Sequence, residues 1–299
     1  MKKITNIKIL IKKILIIIFL LFLIYLGWAY CMAKKVVKTT YNIETNKIIN
    51  DKKIAFISDI HLGTCFDAKK FNEYLKEIEN ENVDMLLIGG DFIDGNTTKK
   101  DLDEALIYLN EVKTKYGTYF VYGNHERNGI IPDIKRNFDI AYFDNELKKT
   151  NIIVLEDKAV VLDDVLLVGR RDDFDEKKGI ERIDVDKIIN NIDFDINTNK
   201  TKNAKNLSDL YSIVVNHHPK DFEVYEKLNI DLVLAGHTHG GQYFTGKIIS
   251  NVFKLNDLIY GMIKKGNTNF IVTSGLACWL LPLKPAEKSE YVIINLKKC

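Results

Sequence analysis

Only four prolines occur in 299 residues, so there is no proline-rich linker, and no repeat of fixed period divides the chain. The four cysteines, Cys31, Cys65, Cys278 and Cys299, are widely scattered and include no C-x-x-C pair. Neither a zinc knuckle nor a disulfide framework is therefore expected, and all four read as ordinary thiols. A basic surplus is missing where a polyanion-binding domain would need it. Residues 1–38 hold eight lysines and no acid, so the formal charge of +2 for the whole chain becomes −6 for the rest. That balance argues against nucleic acid as a partner.

Charge is wholly absent from Ile14 to Ala33, an apolar run preceded by Lys2, Lys3, Lys8, Lys12 and Lys13. As a helix the run would be about 30 Å long, enough to cross a bilayer. A cleaved signal peptide is the rival reading, but its apolar centre is usually only about 7–15 residues. A retained single-pass anchor over residues 1–38 is preferred. Five lysines before the run, against Lys34, Lys35 and Lys38 after it, favour a cytoplasmic amino terminus and an extracytoplasmic domain at the cell membrane.

From about residue 40 the pattern alternates short apolar runs with longer amphipathic segments, which is how an α/β sandwich of strands and helices reads. Strands are expected at 53–58, 84–89, 118–122, 152–156, 165–169, 211–216, 231–236, 269–274 and 291–296. Helices are expected at 68–80, 100–115, 185–191 and 221–228. Residues 39–299 read as one domain, with 172–209, rich in Asn, Asp and Lys, as an excursion from its core.

Five of the strands end in clusters of metal-binding type: SDIHLG (58–63), GGDFID (89–94), GNHE (123–126), NHHP (216–219) and GHTHGG (236–241). In open α/β sheets ligands bind beyond the carboxyl ends of strands, so clusters remote in sequence can converge there. All six histidines of the chain lie in these clusters. In extended backbone, residues two apart project to one side, so Asp59 with His61, and His237 with His239, are expected to present paired ligands. The glycines at 89, 90, 123, 236, 240 and 241 give room for tight turns and close approach.

The candidate ligands are Asp59, His61, Asp91, Asn124, His217, His237 and His239, all oxygen or imidazole nitrogen. That set suits manganese, iron or zinc. Seven ligands exceed the needs of one ion and fit two divalent ions about 3.5–4 Å apart, with Asp91 as the shared carboxylate. Such a pair keeps a net positive charge, ionises a shared water near neutral pH for in-line attack on phosphorus, and so suits a phosphorylated substrate. His125, directly after Asn124, is placed at the transition state as proton donor to the leaving oxygen or as a charge stabiliser, with Asp91 as the other catalytic residue.

These blocks, D-x-H, GD, GNH with a following acid, H-x-P and GHxH, resemble in order the calcineurin-like metallophosphoesterase superfamily, over roughly residues 52–297. The resemblance implies a four-layer α-β-β-α sandwich with a dinuclear site at its edge. It also implies one ion on Asp59, His61, Asp91 and His239, and the other on Asp91, Asn124, His217 and His237. The GHTHGGQ ending resembles a membrane-associated branch similar to UDP-2,3-diacylglucosamine pyrophosphatases. That likeness and the anchor favour hydrolysis of a phosphoester or pyrophosphate in a lipid or nucleotide-sugar-lipid substrate at the membrane. A soluble small-molecule phosphate, or a non-catalytic tethered scaffold, are the alternatives. Glu126 stands where many relatives have Asp, and Lys284 where arginine is frequent.

Around these positions, Asp94 and Glu126 are read either as acceptors orienting the ligands or as exposed loop residues. His218 is expected to be solvated. Arg170 and Arg171 are the candidate substrate-binding residues, as a bidentate phosphate clamp, against surface pairing with Asp172 and Asp173.

Overall fold

The computed structural model describes residues 2–127, 136–172, 179, 181–192 and 206–299. Its elements are, in order, α1 (Lys2–Ala33), β1 (Val36–Thr45), β2 (Lys52–Ile57), α2 (Ala68–Asn80), β3 (Met85–Ile88), α3 (Lys99–Glu111), β4 (Thr118–Phe120) and α4 (Ile140–Leu147). Then come β5 (Ile153–Val154), β6 (Lys158–Leu162), β7 (Val165–Gly169), α5 (Val185–Asn190), β8 (Tyr211–Val215) and α6 (Phe222–Lys227). The chain ends with β9 (Leu232–Ala235), α7 (Phe244–Phe253), β10 (Gly261–Lys265), β11 (Thr268–Val272) and β12 (Ser289–Lys298).

Two six-stranded sheets result, ordered β1-β12-β2-β3-β4-β5 and β10-β11-β9-β8-β7-β6. Side chains alternate across each strand, so a strand buried on both faces reads as a continuous apolar run. In β2 and β3, Ala55, Ile57, Leu86 and Ile88 pack on α2, α3 and α4 through Phe71, Leu102 and Phe143. Their neighbours Ile54, Phe56, Met85 and Leu87 face the other way and meet Leu167, Ile213, Leu232 and Leu234 of the second sheet. The far face of that sheet, with Val168, Val214, Val233 and Phe270, packs on α5 and α6 through Ile188, Phe222 and Tyr225. The layers are helix, sheet, sheet, helix, as the resemblance implied. Asp67, Thr98 and Asp139 cap α2, α3 and α4 by accepting from the backbone N–H of Lys70, Asp101 and Tyr142.

Three strands and two helices depart from the sequence reading. β1 begins at Val36, inside the segment read as anchor, and pairs with β12 along its whole length. β6 and β10 are half-exposed edge strands, whose polar faces weaken the apolar signal. α4 and α7 were not anticipated. Of the excursion read at 172–209, residues 173–178, 180 and 193–205 lie outside the described residues, while α5 sits where its helix was expected.

Candidate metal centre

Asp59 and His61 follow β2, Asp91 follows β3, Asn124 and His125 follow β4, His217 follows β8, and His237 and His239 follow β9. Loops from both sheets meet in one cluster. Asp91 Oδ2 lies 3.2 Å from His217 Nε2 and 3.7 Å from His61 Nε2. His61 Nε2 lies 3.2 Å from His239 Nε2, and His239 Nε2 lies 3.5 Å from Asp59 Oδ1. Asn124 Oδ1 lies 3.2 Å from His217 Nε2 and 3.0 Å from His237 Nδ1. All seven candidate ligands are thus brought together, with Asp91 touching both halves.

The loops do not achieve this in the extended form expected of them. Asp59, His61, Asp91, His237 and His239 have φ of 53°, 39°, 52°, 67° and 50°. A residue with a Cβ pays roughly 1–2 kcal/mol for that left-handed conformation, so five such residues concentrate strain at the cluster. Hydrogen bonds hold it in place. Ile60 and His61 donate their backbone N–H to Asp91 O at 2.8 and 3.0 Å, and Ala277 N donates to Asp59 O at 2.9 Å. Buried Glu126 accepts from the N–H groups of Asp91, Phe92, Ile93 and Gly123 at 2.7–3.1 Å, which fixes the Asp91 turn. Burial and the Asp91 charge together push the Glu126 carboxyl up to about 7. A Cβ on Gly123 would stand 2.3 Å from Asp91 Oδ1, and one on Gly236 would stand 2.2 Å from Asp59 Oδ2, so these two glycines are required for space alone.

The ring orientations bear on what fits the cluster. His217 Nδ1 faces Gly89 O at 2.7 Å and must donate to it, which turns Nε2 toward Asn124 and Asp91. His239 Nδ1 faces Ala277 O at 3.3 Å and His61 Nδ1 faces Asp94 Oδ2 at 3.4 Å, leaving their Nε2 atoms opposed. Positive charge is wanted at two points. Burial opposes a proton on His217, yet Asp91 raises that imidazole well above its ordinary range; burial likewise opposes one on His61, which Asp94, Asp91 and Asp59 raise. Burial keeps His239 near 3 and His237 well below the ordinary range, so both stay neutral donors of electron pairs. A divalent ion at each point would displace the two protons and engage these neutral rings as well. The donor set therefore fits two ions.

His125 lies on the open side of the cluster. Its backbone N–H donates to Asp91 Oδ1 at 2.9 Å, its Nε2 is 4.0 Å from Asp91 Oδ2, and its side chain keeps 15% of its surface exposed. A cavity of about 420 Å³ opens here, lined at one end by Asp91, Asn124, His125, His237 and His239.

Other expected positions fall differently. His218 is buried rather than solvated; its Nδ1 lies 2.7 Å from Asp172 Oδ2 and its ring lies 3.6 Å from that of His237. Arg170 is buried and donates to Asp221 Oδ2 at 2.8 Å and to Tyr225 Oη at 2.9 Å, while Arg171 Nε lies 3.4 Å from Asp157. Neither arginine is among the described residues that line this cavity. Asp172 is engaged by His218 instead, and Asp173 lies outside the described residues. Asp94 and Glu126 are both buried acceptors, which removes the exposed-loop reading.

Two features went beyond the sequence reading. Cys65 and Cys278, 213 residues apart, form a disulfide between the loop after His61 and the loop carrying Ala277, correcting the reading of four thiols; Cys31 and Cys299 are free and exposed. Reduction is expected to lower unfolding stability by about 2–4 kcal/mol, measured by denaturant titration with and without reductant. Second, Lys284 is fully buried, and its Nζ donates to the carbonyls of Ser274, Gly275 and Ala277, fixing the loop against which His239 rests. Lys284→Met leaves those carbonyls unsatisfied and should cost about 2–4 kcal/mol. Burial depresses this ammonium from 10.5 to about 7. Between those values the unfolded chain binds the extra proton, so the Lys284 contribution rises with pH and the deficit of Lys284→Met should be larger at pH 9 than at pH 6.

Comparison with known proteins places these residues in context. The family model described as calcineurin-like phosphoesterase matches residues 52–241. A Helicobacter pylori protein described as an uncharacterized metallophosphoesterase is 32% identical over 90% of this chain and 66% of its own length. A Campylobacter jejuni protein of the same description is 30% identical over 96% of this chain and 70% of its own length. The chain thus spans about two thirds of these relatives. A Bos taurus transmembrane protein with a metallophosphoesterase domain is 25% identical, covering 87% of this chain and 56% of that protein. Among solved structures, a dimetal phosphatase from Danio rerio has a TM-score of 0.48 and 12% identity, covering 82% of this chain and 93% of that one.

Proposed function

The chain belongs to the calcineurin-like phosphoesterase family, and from that premise we propose that it is a membrane-anchored hydrolase of lipid-linked phosphoesters or pyrophosphates. It is a metal-dependent phosphoesterase acting on a phosphorylated substrate. In the reading proposed, Asp59, His61, Asp91 and His239 hold one divalent ion, and Asp91, Asn124, His217 and His237 hold the other. The observation that carries it is the convergence of these donors, all in buried or half-buried positions, in one cluster.

Two ions bound there would ionise water near neutral pH and offset the charge that builds on the phosphate oxygens. The chain's own residues do the rest. Glu126 and the left-handed turns fix the Asp91 carboxylate between the two halves. Asp94 faces His61 Nδ1 and Gly89 O faces His217 Nδ1, which orients each ring so that Nε2 points inward. His125, on the cavity wall with Nε2 4.0 Å from Asp91 Oδ2, would deliver a proton to the leaving oxygen.

Several features support the location. α1 and the residue after it make a 28-residue span, Ile7–Lys34, apolar enough to cross a bilayer, and a transmembrane relative shares the domain. The lysine bias and the Cys65–Cys278 bridge both favour an oxidising, extracytoplasmic side for the domain. The GHTHGGQ ending supports a nucleotide-sugar-lipid or related substrate. Metal-reconstituted protein assayed on lipid and water-soluble phosphates is expected to prefer the lipids by kcat/KM. Turnover confined to soluble phosphates would overturn the membrane-substrate reading, and no turnover of any member would overturn the enzymatic one.

A further inference from the structure

The cavity that opens on the metal cluster has a mixed wall away from the ligands, with Tyr243, Ser250 and Asn256 beside a larger apolar share. That apolar share comes from Ile249 and Leu255 at α7 and after it, from Ile259, and from Trp279 in the loop before Lys284. Gln242 ties these two walls together: its Nε2 donates to Trp279 O and its Oε1 accepts from Trp279 N, both at 2.8 Å. A phosphate lodged at the ligand end would therefore have its substituent in contact with the apolar share of the wall.

The outside of that wall is apolar too. Outside α1, exposed large apolar side chains concentrate here: Ile248 (62% exposed), Val252 (68%), Phe253 (69%), Leu255 (53%), Leu280 (52%) and Leu281 (50%). The position of the anchor says what meets this face. The last turns of α1 carry Tyr25, Trp28 and Tyr30, residues that settle at the level of lipid headgroups. Between them Ala29 is buried, and its carbonyl accepts from Lys284 N at 3.2 Å. Ala33 packs with Cys65, Ala277 and Cys278. The loop 277–284 thus touches the anchor at interface depth, and Leu280 and Leu281 protrude from that same loop.

We propose that α7 and residues 279–281 form an interfacial entrance that rests in the bilayer surface and admits the acyl portion of a lipid phosphoester, its tail lying against Ile249, Leu255, Ile259 and Trp279 while its phosphate reaches the metal cluster. This rests on the phosphoesterase reading above and names the part of the substrate that the site binds. The occupant is a membrane lipid because the patch is continuous with the cavity wall and lies beside the end of a membrane-spanning helix.

Two measurements on the full chain test it. The first does not depend on activity. In a Cys31→Ser, Cys299→Ser background, Val252→Cys carrying an environment-sensitive fluorophore is reconstituted into phosphatidylcholine and phosphatidylglycerol vesicles. Its emission should be quenched by bromine-substituted acyl chains and shielded from aqueous iodide; a label fully open to iodide and untouched by the brominated lipid overturns the proposal. The second measures inhibition of bis(p-nitrophenyl) phosphate hydrolysis by alkyl phosphates below their micellar concentrations. Octyl phosphate should inhibit at least about tenfold more strongly than butyl phosphate, and Leu255→Asp should flatten that dependence. Hydrolysis with no chain-length effect overturns the entrance alone, whereas absence of hydrolysis of this diester and of every lipid phosphate tried, with the fluorophore still lipid-shielded, overturns the enzymatic reading and leaves the membrane contact standing.

Discussion

Asp91→Ala is expected to lower phosphoester turnover by about 10³-fold or more and to strip bound metal from the protein. The carboxylate is fully buried, lies between the two halves of the cluster, and accepts the backbone N–H of His125. Its loss removes the one group proposed to serve both ions, and several kcal/mol of charge stabilisation at phosphorus goes with it. Circular dichroism separates loss of the ligand from loss of the fold. Wild-type turnover in the variant would refute the proposed site.

The second large effect is expected of His125→Ala, with kcat lower by about 10²–10⁴-fold and metal content close to wild type. His125 is less buried than the ligands beside it and stands on the cavity wall, so its removal leaves the ion-holding groups in place. A proton donor matters most when the leaving oxygen is a poor one. The loss should therefore be greater for an alkyl phosphoester than for p-nitrophenyl phosphate. Equal losses on both would identify His125 as a stabiliser of phosphate charge instead.

The fold was readable wherever a strand is buried on both faces, because Ile54–Ile57 of β2, Val165–Gly169 and Leu232–Ala235 then appear as uninterrupted apolar runs. It was hidden where one face meets water. β1, with Lys38, Thr40 and Asn42 exposed, looks like polar linker until its pairing with β12 is known. α7 was missed for the opposite reason: its apolar face is turned outward, so its pattern predicts no packing partner in the domain.

At the site, residue type and strand-end position were enough to name which side chains come together. They were not enough to give the backbone that achieves it, since left-handed aspartate and histidine leave no mark in composition. Nor could spacing reveal that Arg170 is taken up by Asp221 and Tyr225, or that Cys65 meets Cys278 across 213 residues, because both depend on how separate loops pack. Lys284 is a similar case: the resemblance marked it only as a lysine where arginine is frequent, and the three carbonyls around it explain its burial.

Elemental analysis of the purified full chain, after reconstitution with manganese, iron or zinc and removal of loose metal, tests the dinuclear centre most directly. About two equivalents per chain are predicted for the wild type, and clearly fewer for Asp91→Ala. A wild-type protein that retains no transition metal under any of these conditions would contradict the account.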